Sequence, residues 1–382
     1  MKMMERILRL MAERKASDVY LSPNAPALMR INGQCLAINA QVLPPEAPRN
    51  LLAEVASPER MEELDRTGEL NMAIPMTGVG SFRVSAMRQR GSCAVVVRHI
   101  ASRIPPFDSL GLPPILKSLV MERRGLILMV GSTGAGKSTT LASMLDHRNE
   151  HAFGHILTVE EPIEYNYVNK KSVVNQREVG SDTVSLQVAL KNALRQAPDV
   201  IQIGEIRDRE TMAAALAYAQ SGHLCVATLH ANNAYRALNR IVSFYPAEVR
   251  PMLLGDLAAS LRAVVAQRLL RTPGSGRVPA VEVMLNTALV AELIERGDFS
   301  GVKEAMEKSM AEGSQTFEED IARLILEDRV ERAEGLAHAD SATNLLWRLQ
   351  NHNKPAQRAE ESSLMAQAEA PTFTDITLDV LL

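Results

Sequence analysis

Cysteine is scarce in this chain. Its three copies, Cys35, Cys93 and Cys225, stand far apart and form no C-x-x-C pair. That spacing supports neither a disulfide framework nor a zinc site, and it suits a reducing compartment. Long apolar runs are missing too: none reaches the ~18 residues that a membrane span needs. Any membrane association is therefore expected through partners. The opening residues, Met1-Lys2-Met3-Met4-Glu5-Arg6, interrupt apolar side chains with charges and do not read as a signal peptide. Nor is there an excess of positive charge. The net charge is −3, so bulk charge gives no support for a nucleic-acid partner. No internal repeat is visible. These absences lead to the expectation of a cytoplasmic protein. At 382 residues the chain exceeds one average domain, so two or more domains around a large core are expected.

What the chain does hold is Gly131-Ser132-Thr133-Gly134-Ala135-Gly136-Lys137-Ser138, followed by Thr139. It fits the phosphate-binding loop pattern G-x-x-x-x-G-K-[ST]. Leu126-Ile127-Leu128-Met129-Val130 before it reads as a buried parallel strand, and residues 139–145 after it read as a helix. The context matters, because the same glycines without it would be an ordinary turn. Between a strand and a helix they let backbone N–H groups turn inward around phosphate oxygens, where the helix dipole adds partial positive charge. Lys137 would reach the β- and γ-phosphates, and Ser138 would ligate Mg²⁺.

Along the rest of the chain, residues 4–14 place Ile7, Leu8 and Met11 at helical spacing. Residues 16–22 alternate like a strand, and Asn32-Gly33 marks a hairpin turn. Pro44-Pro45 opens a helical stretch to about Asp65. Gly78-Val79-Gly80 is a turn before two strands at residues 81–86 and 93–98. This is a small α+β domain over residues 1–100. A proline-rich, extended linker over 101–115 follows. From 116 to 350 strands and helices alternate, the mark of a parallel α/β sheet. Its further strands are read at 155–159, 199–205 and 223–230, with helices at 186–195 and 209–220. Residues 250–346 read as largely helical, broken by Thr272-Pro273-Gly274-Ser275-Gly276. The polar stretch 351–382 reads as a mobile tail.

Ligands in open α/β sheets sit beyond the carboxyl ends of the strands. Glu205 ends one such strand, either as the carboxylate near Mg²⁺ or as a helix-capping acid. Glu160, Glu161 and Glu164 form a second acidic cluster, from which one glutamate could orient and deprotonate water. Repulsion argues against all four acids ligating one metal. His223 and His230 bracket the fourth strand at an odd separation, which puts them on opposite faces. His230, at the carboxyl end, is the better γ-phosphate sensor, and His223 could be structural. Phosphoryl transfer usually needs an arginine. Arg83 and Arg98 lie on first-domain strands and Arg207 and Arg209 just beyond Glu205. From spacing alone, surface salt bridges account for each.

Four segments together resemble the nucleotide boxes of the secretion-type ATPases. They are Gly131 to Thr139; Ile156-Leu157-Thr158-Val159-Glu160-Glu161-Pro162-Ile163-Glu164; Gly204-Glu205-Ile206-Arg207-Asp208; and Gly222-His223 to His230-Ala231-Asn232-Asn233. The resemblance spans roughly residues 5–345. Within that group the chain is similar to the type IV pilus retraction motors, the PilT/PilU family. Ala16-Ser17-Asp18 and Asn175-Gln176-Arg177-Glu178 fit the whole family. Residues 190–199, 229–233 and Ala337-His338-Ala339-Asp340-Ser341-Ala342 place it closer to the PilU branch. The resemblance implies an α/β fold: a PAS-like N-terminal domain and a RecA-like ATPase domain in a homohexameric ring. It implies Glu164 as catalytic base, Glu205 as the acid of the Mg²⁺ site, and Arg83 and Arg98 as arginines presented to the nucleotide. The partners it implies are a sister retraction ATPase and an inner-membrane platform protein. Glu161 stands where the family usually has Asp, and Tyr20 where it often has His. A pilus-extension or type II secretion ATPase would typically add a further N-terminal domain and a four-cysteine zinc insert, neither of which is visible. A ring that binds ATP without turning it over is the other reading, disfavoured because every box residue needed for hydrolysis is present.

Overall fold

The computed structural model describes residues 2–351 apart from 32–33, 77–78, 101–103, 275 and 309–310. The turn read at Asn32-Gly33, Gly78, Ser275, the first residues of the linker and the tail from 352 onward lie outside the described residues. Among the described residues thirteen strands form two sheets.

The first sheet is antiparallel. Its strands are β1 (Asp18–Leu21), β2 (Pro26–Ile31), β3 (Gln34–Val42), β4 (Glu69–Met76), β5 (Gly80–Gln89) and β6 (Ser92–Ile100), in the order β3-β2-β1-β6-β5-β4. Helices α1 (Met3–Glu13), α2 (Ala47–Ala53) and α3 (Pro58–Thr67) pack on one face. The strand period of two sends Val19, Leu21, Val84 and Val97 into a core with Met4, Leu8 and Met11, and leaves Asp18, Arg83 and Arg98 on the other face. The helical stretch expected from Pro44 to Asp65 is two helices. Ser57 accepts the Arg60 N–H and Pro58 takes the first turn of α3, so the chain restarts there.

The second sheet holds β7 (Gly125–Val130), β8 (Gly154–Glu160), β9 (Ser172–Glu178), β10 (Val200–Ile203), β11 (Leu224–Leu229), β12 (Leu261–Arg271) and β13 (Arg277–Leu285). The order is β13-β12-β7-β11-β10-β8-β9, parallel except for β13. Helices α4 (Ile115–Val120) and α5 (Lys137–His151) cover one face. On the other lie α6 (Leu186–Ala193), α7 (Arg209–Gln220), α8 (Ala234–Ser243) and α9 (Arg250–Ser260). Helices α10 (Ala288–Glu295), α11 (Phe299–Glu307), α12 (Phe317–Leu326), α13 (Arg332–His338) and α14 (Ala342–Asn351) are the last elements among the described residues. A parallel sheet covered on both faces explains why every residue of β7, β10 and β11 is buried.

Two expectations are corrected here. Residues 261–285, read as helical, form the β12–β13 hairpin. The run around Val264-Val265 is buried on both faces against β7, and such a run carries no period that separates helix from strand. The Thr272-Pro273-Gly274 break is the hairpin's turn. The linker, read as extended, makes a short helical turn at Phe107–Ser109, and Phe107 and Leu112 enter the core beside α5. Among the described residues no helix is long and apolar enough to cross a membrane.

Candidate functional site

One pocket at the carboxyl ends of β7, β8, β10 and β11 gathers Lys137, Ser138, Glu160, Glu161, Glu164, Gln202, Glu205, Arg207, Thr228 and His230. Its floor is the start of α5. The N-cap there is Gly136, which has no side chain to cap the helix, and the first turn carries no acid. By contrast Asp208, Asn233 and Thr316 cap α7, α8 and α12 with their side chains. The first N–H groups of α5 therefore remain available to an anion, and the helix dipole favours one there.

The loop keeps its shape through contacts that demand glycine. Gly131 and Gly136 adopt φ of +155° and +85°. A Cβ on Gly131 would lie 2.6 Å from the Gln267 carbonyl oxygen, and one on Gly136 would lie 2.7 Å from Gln267 Nε2. Gln267 is buried on β12 and braces the loop. Its Nε2 donates to the Ala135 carbonyl at 2.8 Å, and its Oε1 accepts from Thr140 Oγ1 at 2.8 Å. No sequence signal singled Gln267 out, because its strand read as helix. Lys137 Nζ donates to the carbonyls of Gly131 at 2.9 Å and Ser132 at 2.8 Å. Burial lowers its pKa, and Glu205 and Glu164 act against that. Thr139 Oγ1 lies 2.8 Å from the Tyr165 hydroxyl.

The acids opposite Lys137 differ in environment. Glu160 is buried; it accepts from Thr158 Oγ1 at 2.7 Å and Gln176 Nε2 at 3.1 Å. Burial pushes its carboxyl up, and those hydrogen bonds oppose the shift. Glu161 is half exposed and pairs with Arg207 Nη1 at 3.2 Å. Glu164 lies near enough to Lys137 to act on its charge. Glu205 is flanked on both oxygens, by Arg207 Nε at 3.1 Å and His230 Nε2 at 3.1 Å. Arg207 is held above its ordinary pKa, first by its hydrogen bond to Glu205. Gly204 leaves room for this turn, since a Cβ there would sit 3.1 Å from the Val159 carbonyl. The Gly204 carbonyl accepts from Thr228 Oγ1 at 2.5 Å.

The expected histidines separate. His230 reaches the pocket, whereas His223 lies before β11 at its other end, 3.1 Å from Ser221 Oγ. The expected arginines separate as well. Strand register sets Arg30, Asp18, Arg98 and Arg83 in one row across β2, β1, β6 and β5. Arg98 Nε pairs with buried Asp18 Oδ1 at 2.9 Å. Neither Arg83 nor Arg98 is among the residues lining the pocket of its own chain. Arg209 instead stacks over the Tyr245 ring, 5.4 Å from its centroid.

The family described as "Type II/IV secretion system protein" matches residues 1–332. The type IV pilus ATPase PilU of Pseudomonas aeruginosa is 46% identical over 342 residues, which cover 89% of this chain and 90% of that protein. The type IV pilus retraction ATPase PilT of the same organism is 36% identical over 326 residues, covering 85% of this chain and 95% of that protein. A solved structure of the pilus retraction motor PilT with bound ADP superimposes with a TM-score of 0.83 at 36% identity. It covers 89% of this chain and 98% of that one.

Proposed function

This chain belongs to the type II/IV secretion system protein family, and on that premise we propose how its pocket powers a pilus retraction ATPase. The relatives are named as a type IV pilus ATPase, a type IV pilus retraction ATPase and a twitching motility protein, and the solved neighbour is a pilus retraction motor with bound ADP. The observation that bears most weight is the uncapped start of α5, with Lys137 in its first turn and Glu164 and Glu205 facing it across one pocket.

In this reading the α5 N–H groups and residues 131–139 hold the phosphates, and Lys137 exchanges its two loop carbonyls for phosphate oxygens. Glu164 accepts the proton of the attacking water. His230 and Arg207 hold Glu205 in place and meet the departing phosphate. The residues also suit Mg²⁺. Among the described residues no group of three or more His, Cys, Asp or Glu side chains stands ready to hold a metal alone. Ser138 and Glu205 supply oxygen donors beside the phosphate site, which is how a hard cation that shares nucleotide oxygens is held. When bound, the ion neutralises charge building on the phosphates.

Arg83 and Arg98 would complete the site when the N-terminal domain, residues 1–100, closes on a nucleotide-bound ATPase domain, residues 116–350. Such closure, passed round a homohexamer, converts hydrolysis into rotation. The ring would act at the inner face of the cytoplasmic membrane with a sister retraction ATPase and a membrane platform protein.

The test is steady-state ATP hydrolysis across protein concentration, with Lys137→Ala and Glu164→Gln beside the parent. Turnover should rise with assembly. Lys137→Ala should lose nucleotide binding, and Glu164→Gln should bind ATP yet turn it over about 10²-fold or more slowly. Unchanged turnover in Lys137→Ala sinks the site. ATP bound without turnover by the parent chain points to a ring that assists another motor.

A further inference from the structure

Gln202 stands out among the residues lining the pocket. It occupies the middle of β10, between Ile201 and Ile203, in a strand buried along its whole length. Its neighbours in register are Thr158 on β8 and Val226 on β11. It is only 7% exposed, and its Oε1 has no hydrogen-bond partner. Of the buried side-chain atoms left unpartnered among the described residues, on Arg30, His99, Ser143, Gln202 and Asn286, only that of Gln202 belongs to a residue lining the pocket. An aliphatic side chain of the same size would fill this place at no such cost. The hydroxyl next to it in register, Thr158 Oγ1, spends its hydrogen on Glu160.

Because Oε1 is closed off, the end of the carboxamide that meets the pocket is Nε2, and a polar side chain kept at this cost within a strand is accounted for by what its pocket end binds. The same pocket wall carries Ser138, Glu160 and Glu205, so a water shared between Gln202 and these oxygens has the several polar partners it needs. We propose that Gln202 is a positioning residue, its carboxamide holding a water in the hydration shell of the Mg²⁺·ATP complex. Magnesium keeps several of its waters when it binds, so a donor or acceptor fixed in the wall sets where that shell sits. This inference rests on the reading of the pocket as a Mg²⁺·ATP site.

The experiment measures thermal unfolding of the full chain and of Gln202→Met and Gln202→Leu, without activity as a readout. Each protein is melted alone, with a non-hydrolysable ATP analogue in EDTA, and with that analogue across a Mg²⁺ titration. Two results are expected together. The substituted proteins should melt about 2–4 °C higher than the parent when ligand-free, because an orphaned buried amide has been removed. The Mg²⁺ concentration giving half of the analogue's stabilisation should rise about tenfold, with the metal-free shift unchanged. A lower ligand-free melting temperature in both variants, or an unshifted Mg²⁺ titration, overturns the role of Gln202. A parent chain that the analogue and Mg²⁺ fail to stabilise overturns the reading of the pocket instead.

Discussion

Glu282, on β13, is 7% exposed, and its Oε1 accepts the backbone N–H of Ala234 at 2.7 Å. Burial pushes its carboxyl up to about 7, with Asp340 and Glu318 adding to the shift and Arg268 opposing it. In the unfolded chain a glutamate loses its proton near pH 4.3. Between those values the unfolded chain has released the proton and the folded one still holds it. Stability therefore falls as pH rises through this window and levels off above it. The fall is on the order of 3 kcal/mol for this one group. Glu282→Gln keeps an acceptor for Ala234 and has no proton to lose. Denaturant unfolding at pH 5 and at pH 7.5 should show a smaller drop for Glu282→Gln than for the parent. Equal drops would mean that the carboxyl is not the group responsible.

The strand β12 shows at the level of the element what the sequence could and could not reveal. The phosphate loop was readable because its chemistry demands fixed residue types at fixed spacing. The glutamates and His230 were readable because strand ends place them beside it. Gln267 was not, since its hold on Ala135 and Thr140 depends on β12 pairing with β7, and a short apolar run does not declare its partner. For the same reason the sequence marked Arg83 and Arg98 but not the row they form with Asp18 and Arg30. Gln267→Leu should leave the Ala135 carbonyl and the Thr140 hydroxyl buried and unpaired, costing about 2 kcal/mol or more. ADP affinity by calorimetry should fall about tenfold as the loop loosens. Affinity and stability both equal to the parent's would show that the loop holds its shape without this brace. Register adds a second constraint. A one-residue slip in β12 would bring Arg268 to the loop and turn Gln267 to the opposite face, where Arg268 lies over the Phe317 ring.

The whole molecule is built as two units whose chemistry is complementary. The pocket carries acids and the uncapped N–H groups of α5, and the outer face of the first sheet carries Arg83 and Arg98. Because Arg83 and Arg98 do not line their own chain's pocket, a site shared between neighbouring subunits makes a sharp prediction about mixtures. Arg98→Ala and Glu164→Gln should each be inactive alone. In an equal mixture, about a quarter of the interfaces would join an intact arginine to an intact base, and turnover should partly return. A mixture as inactive as its components would confine the site to a single chain. The consequence reaches inheritance. A cell carrying two differently damaged copies of this gene would regain part of the ring's ATP turnover, whereas a cell carrying either copy alone would not.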